Sequence, residues 1–248
     1  MTVEDLPSSA TEPGSAVIRV LSYNIRSMRD DTAALARVIR ACAPDLVLVQ
    51  EAPRFFRWRK AAARLARESE LCYVTGGATT AGPMIMSSLR VDVERTEDVL
   101  LPHTPGLHQR GFATAVVRVG GARLAVVCTH LSLFPPERYD QAGLALDRVA
   151  AMGEPQVVLG GDFNEPPDRP GFSRIAAQLQ DGYATAPWGG EITNHQPPFQ
   201  RIDAVFSTPG IEVLGCGVPL GLPGVTEADL YAATDHMPVL AALRVPAR

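Results

Sequence analysis

The sequence predicts an α/β fold of two packed β-sheets with helices outside. Three observations carry this. Strand-like runs outnumber helical ones, hairpin signals mix with helical crossovers, and two short strands are apolar on both faces, as strands are when both faces are covered. The mixture argues against a purely parallel, doubly wound sheet. With 248 residues, 46% of them hydrophobic, the chain can build one large core.

Residues 1–15 are polar and carry Pro and Ser, so they read as a flexible N-terminus. Glu4, Asp5 and Glu12, with no basic stretch, do not read as a secretory signal. No linker or repeat interrupts residues 16–248, which read as a single domain. Residues 17–23 form a β-rich run. Asp30 or Asp31 can cap a helix through Leu35, Val38, Ile39 and Cys42, which Pro44 ends. Leu46–Gln50 reads as a buried strand. Residues 54–70 read as a helix with Phe55, Trp58, Ala62 and Leu65 inward, and a basic stripe of Arg57, Lys60, Arg64 and Arg67 outward.

Residues 84–87 and the runs around them look like short strands. Two β-rich runs, 112–119 and 123–129, flank Gly120-Gly121 as a hairpin. A helix over 136–152 would turn Tyr139, Leu146 and Val149 inward, and 156–160 reads as a second buried strand. A helix over 170–180 would run through Phe172, Ile175, Ala176 and Leu179. Late strands fall at 202–206, 211–216 and 238–245. The longest loop-like stretch, 219–233, is expected to wall the pocket.

The formal charge is −4, which is not the footprint of a protein that coats nucleic acid. Lys60 is the one lysine among 23 basic residues, a pattern read first as genome bias. Cys42, Cys72, Cys128 and Cys216 are too sparse for a disulfide scaffold and read as reduced core cysteines of a cytoplasmic protein. No apolar run approaches the ~18 residues that would span a bilayer.

The informative residues are those at strand ends. The strands run into Asn24, Glu51, His130, Asp162 with Asn164, and Asp203; Asp235 and His236 precede the last one. Solubility alone does not explain six such ends. Clustered carboxylates with few Cys or His suit a hard cation such as Mg²⁺ rather than structural zinc. Phosphate-ester hydrolysis needs these parts: charge neutralisation on oxygen, a base for water, and donors for the phosphoryl oxygens.

The segments Leu-Ser-Tyr-Asn (21–24), Val-Gln-Glu (49–51), Thr-His-Leu (129–131), Gly-Gly-Asp-Phe-Asn (160–164), Ile-Asp-Ala-Val-Phe (202–206) and Thr-Asp-His-Met-Pro (234–238) occur in that order. Together the set resembles the endonuclease/exonuclease/phosphatase superfamily of deoxyribonuclease-like phosphoesterases. The resemblance implies a four-layer α/β sandwich, two packed mixed β-sheets flanked by helices, with the site at one end. It implies Mg²⁺, or Mn²⁺ in its place, with Glu51 as principal ligand, Asn24 placing metal or phosphate, and Asp235 touching a metal directly or through water. It implies Asp162 as the base for the attacking water and Asn164 holding that water or a phosphoryl oxygen. His236, held by Asp203, and His130 would donate to the phosphoryl oxygens. Arg110 would lie on the phosphate, and Thr193 is a further candidate for substrate binding. His195 reads as an ordinary loop histidine. The family's usual Asn after the glycine of 82–88 is missing here.

The implied activity is metal-dependent hydrolysis by in-line attack of water. The acidic balance and the short chain favour a small or single-stranded phosphoester, and the first reading is a phosphodiesterase or nuclease-type activity on it. The alternative is a phosphomonoesterase acting on a sugar, inositol or nucleotide phosphate. A non-catalytic binding protein of the same fold is disfavoured by the intact set Glu51, Asp162, Asn164, Asp203 and His236. The expected partners are a phosphoester, small molecule or short nucleic acid, with no membrane span and the protein a monomer.

Overall fold

The computed structural model describes residues 3–247. In chain order it holds β1 (Ala10–Glu12), β2 (Ser15–Asn24), α1 (Thr32–Cys42), β3 (Leu46–Gln50), α2 (Trp58–Glu68), β4 (Cys72–Gly76), β5 (Met84–Ser87) and β6 (Asp92–Leu100). There follow β7 (Gly111–Val119), β8 (Ala122–His130), α3 (Pro135–Ala151), β9 (Val157–Asp162), α4 (Pro170–Ala176), β10 (Gln180–Asp181) and α5 (Gly182–Thr185). The chain closes with β11 (Asp203–Ser207), β12 (Glu212–Gly217), α6 (Glu227–Ala233) and β13 (Val239–Pro246).

One sheet has the order β12-β13-β2-β3-β5-β4, with β1 paired to β2. The other runs β10-β11-β9-β8-β7-β6. Both are mixed: β2 with β3 and β8 with β9 are parallel, and the remaining pairs are antiparallel. Each parallel pair is joined by a helix, α1 in the first and α3 in the second.

Side-chain alternation builds four layers from these sheets. In β2, Ile18 and Val20 face the other sheet, while Leu21 and Tyr23 face α1 and α2. In β8, Val126 and Cys128 face the first sheet, and Ala125 and Val127 face α3 and α4. Strands covered on both sides have no polar face, which is why Leu46–Gln50 is apolar nearly throughout.

The glycines before Asp162 are needed for close approach. A Cβ on Gly160 would lie 2.6 Å from Leu48 Cδ1 of the facing sheet, and one on Gly161 would lie 2.2 Å from the Thr129 carbonyl oxygen. Gly161→Ala is therefore expected to destabilise by roughly 1–3 kcal/mol, read as a lower urea midpoint; an unchanged midpoint would contradict the packing.

Several elements differ from the sequence expectation. Val3 and Leu6 are buried, β1 pairs with β2, and the Arg19 guanidinium donates to the carbonyls of Val3, Leu6 and Pro7, so this part of the N-terminal segment is tied down. The helix expected from residue 54 begins at Trp58, because Arg57 adopts a left-handed φ of 60°. Phe55 is consequently exposed rather than inward, and Phe56 beside it is exposed too. In α3 the inward stripe is Gln141, Ala142, Ala145 and Val149, while Tyr139 lies outside. Helix α4 stops at Ala176, which is exposed, and Gln180 enters a strand. Cys72 is exposed; the other cysteines are buried, and all four are free. Strand β6 carries no apolar run that would mark it in the sequence, because it is an exposed edge rich in charged residues. Residues 227–233 form α6, which a Thr226–Asp229 capping box starts and an Arg37–Asp229 ion pair ties to α1.

Candidate active site

Asn24, Glu51, His130 and Asp162 meet because β2, β3, β8 and β9 end side by side. The register pairs Asn24 with Gln50 and His130 with Asp162. Asp203 pairs with Asp162 across β11 and β9. Several residues at this edge take left-handed backbone, among them Glu51 at φ 52° and Asn164 at φ 55°. Asn tolerates that conformation; for Glu it costs about 1 kcal/mol or more, strain of the kind found at functional sites.

Asp162 is the hub. Its Oδ2 accepts from Asn24 Nδ2 at 3.0 Å, and its Oδ1 accepts from the Asn164 backbone N–H at 2.9 Å. His130 Nε2 lies 3.4 Å and His236 Nε2 3.8 Å from Oδ2. Burial, then the charge of Asp203, push the Asp162 carboxyl up to about 7. The His236 Nδ1–H donates to Asp203 Oδ2 at 2.8 Å; an ionised carboxylate only accepts, so Nδ1 carries the hydrogen and Nε2 faces Asp162. Burial opposes the charged His236 ring, but the charge and hydrogen bond of Asp203, with Asp162 and Asp235 nearby, raise it to about 10. His130 behaves oppositely. Burial and the neighbouring Arg110 and His236 charges hold it well below the usual histidine range, so it is neutral.

Glu51, Arg110, His130, Asp162, Asn164 and His236 line one cavity of about 640 Å³. Its remaining lining includes Arg29, Arg54, His108, Phe55, Phe56 and Leu133, none of which was singled out as a site residue from the strand ends. Arg54 sits three residues after Glu51, and the helical pattern expected from residue 54 masks it. Arg110 is buried with no partner for its Nε; burial lowers its pKa, while Asp162 and Glu51 oppose that.

Four expected residues, Asn24, Asp203, Thr193 and Asp235, are absent from this lining; Asn24 and Asp203 instead bond to Asp162 and His236 respectively, which belong to it. Thr193, expected at the substrate, is buried behind Asp203, where its Oγ1 accepts from the N–H groups of Ile202 and Asp203 at 3.0 Å each. It is a positioning group. Thr193→Val leaves both N–H groups unpaired and should cost roughly 1–3 kcal/mol in urea unfolding, whereas Thr193→Ser should not. Asp235 does not line the cavity and pairs with Arg26 at 3.2 Å. His195 packs edge-on against Tyr231 and contacts the Thr234 carbonyl at 2.7 Å, as befits a structural histidine. No residue of 219–233 lines the cavity, so that segment is not its wall.

Two groups could hold a cation. Asp162, Asp203 and His236 each offer a ligand atom within 4.8 Å of the others. Two of these three are already joined by an N–H···O bond, which favours an acid–histidine pair over a metal cage. Glu51 instead points one carboxylate into the cavity, with Asn24 Nδ2 3.3 Å from Oε1. One carboxylate with room for water fits a hard cation that keeps most of its hydration.

A buried carboxylate shared by two imidazoles, beside a second carboxylate able to hold a cation, supplies the groups that metal-dependent phosphoester hydrolysis requires. The chain belongs to the Endonuclease/Exonuclease/phosphatase family, whose model matches residues 21–236. Members of that family are metal-dependent phosphoester hydrolases, and this protein is an enzyme of that class. Comparison with the curated proteins returned no match. Among solved structures, an endonuclease/exonuclease/phosphatase from Bacteroides vulgatus is similar with a TM-score of 0.77 and 21% identity, over 92% of this chain and 99% of that one. A mannosyl-6-phosphatase of Bacteroides thetaiotaomicron gives a TM-score of 0.74 at 19% identity, over 91% and 99%. Truncated TDP2 of Caenorhabditis elegans gives 0.70 at 19% identity, over 92% and 97%. At these identities the likeness is one of fold, and it agrees with the two-sheet, four-layer architecture. Among the described residues no helix is long and apolar enough to cross a membrane.

Proposed function

We propose that this protein is a Mg²⁺-dependent phosphodiesterase acting on a small or single-stranded substrate, with water attacking phosphorus in line. The observation that carries the reading is the convergence of Asn24, His130 and His236 on Asp162, in a cavity that also holds Glu51 and Arg110. Asp162, poised near neutrality, takes the proton from the attacking water. Asn164 gives its amide N–H to the Leu131 carbonyl at 2.8 Å, which leaves its side-chain oxygen to orient that water. His236, kept cationic by Asp203, donates through Nε2 to a phosphoryl oxygen as charge develops. Neutral His130 is a second donor, and Arg110, in the same lining, brings its guanidinium charge to the phosphate. Mg²⁺ held by Glu51, with Asn24 beside it, would neutralise charge on a phosphoryl oxygen. Asp235 contributes to the field at His236.

A diester carries a second organic group, for which the apolar Phe55, Phe56 and Leu133 of the lining offer contact. The phosphomonoesterase reading has one support of its own, the fold likeness to a mannosyl-6-phosphatase. Parallel assays in Mg²⁺ with bis-p-nitrophenyl phosphate, p-nitrophenyl phosphate, inositol phosphates, short single-stranded oligonucleotides and plasmid DNA separate the two. The diester and the short single strands are expected to be cleaved with the highest kcat/KM. A higher kcat/KM on monoesters would replace the diester reading.

A further inference from the structure

Phe55 and Phe56 are 81% and 88% exposed, although both belong to an apolar residue type that a fold ordinarily buries. They stand in a tight turn before α2, where the Trp58 N–H donates to the Phe55 carbonyl at 2.9 Å and Arg57 takes a left-handed φ of 60°. The turn projects both rings outward, and both line the same cavity as Asp162 and His236. Each ring has a guanidinium over it, Arg54 at 5.9 Å from the Phe55 centroid and Arg57 at 4.9 Å from that of Phe56. Arg54 is itself anchored by the Ala81 carbonyl at 3.0 Å.

We propose that Phe55 and Phe56 form a stacking platform for a planar aromatic group, a nucleobase in chemical class, carried by the substrate beside its scissile phosphate. The inference rests on the phosphodiesterase reading and names the substrate of that site. A flat ring gains face-to-face contact on an exposed phenyl, which a saturated substituent cannot match. The neighbouring guanidiniums complement the phosphate that follows each base in a strand. Stacking is indifferent to base identity, so the platform recognises a nucleotide without reading its sequence.

The test compares wild type with the Phe55→Ala/Phe56→Ala and Phe55→Tyr/Phe56→Tyr double variants in Mg²⁺. Two diesters are assayed: a short oligothymidylate and glycerophosphocholine, which has no planar group. Binding of thymidine 5′-monophosphate by equilibrium dialysis is the second readout and does not depend on turnover. In the alanine variant, kcat/KM for oligothymidylate relative to glycerophosphocholine is expected to fall about tenfold or more, through KM, and the Kd for the nucleotide to rise as much. The tyrosine variant, which keeps both rings, should restore both. An unchanged ratio and an unchanged Kd overturn the proposal. So does loss of co-sedimentation with phosphatidylcholine/phosphatidylserine vesicles in the alanine variant while nucleotide binding stays intact, which would assign the rings to a bilayer. If neither diester is cleaved yet the Kd still depends on the rings, the platform stands and the phosphodiesterase reading falls.

Discussion

Asp162→Asn is expected to lower kcat by about 10⁴-fold, the upper range for loss of a positioned general base. The substitution is nearly isosteric. Its amide oxygen can keep the bond from the Asn164 backbone N–H, so the turn after β9 should persist. What disappears is the carboxylate that Asn24, His130 and His236 surround. Because Asp162 is a buried acid beside a second buried acid, Asp203, the neutral variant should melt no lower than wild type. A chromogenic diester and a thermal melt check both halves. Activity within tenfold of wild type, with the fold intact, would remove Asp162 from the role of base. His236→Ala should cost about 10²–10⁴-fold by the same logic of a lost proton donor, measured on the same substrate.

Chelation with EDTA is expected to abolish activity, and added Mg²⁺ to restore it. Glu51→Gln should lower kcat by about 10³-fold, which is what several kcal/mol of lost charge stabilisation implies. It should also raise the Mg²⁺ concentration needed for half-maximal rate. Glu51 makes no contact with Asp203 or the His236 pair through any hydrogen bond described, so its loss should leave the acid–histidine geometry in place. Activity that survives exhaustive chelation would overturn the metal requirement, whereas a Glu51→Gln enzyme with unaltered Mg²⁺ dependence would move the metal elsewhere. The Asp162–Asp203–His236 group would be the next candidate, because its ligand atoms also lie close together.

The amino-acid sequence by itself determined the strand-centred part of this protein. Buried strands announce themselves by being apolar on both faces, so β3 and β9 were legible, and so were the polar residues they deliver: Glu51, Asp162 and Asn164. The Asp31 cap and the Leu35, Val38, Ile39 and Cys42 stripe marked α1 for the same reason, since local hydrogen bonding and helical spacing are encoded within a few residues.

Tertiary structure decided what depends on neighbours distant in sequence. Whether Thr193 touches substrate or supports Asp203 from behind follows from where the 193–202 segment meets the start of β11, and no spacing in the chain encodes it. The opposite charge states of His130 and His236 come from what surrounds each ring: burial and then a neighbouring guanidinium keep His130 neutral, while a bonded carboxylate overcomes burial at His236. Phe55 fits a helical stripe on paper, yet one left-handed residue at Arg57 delays the helix, and Phe55 and Phe56 line the cavity instead. Periodicity reports the face a residue would take if its element formed; the backbone turn that starts the element decides whether it does.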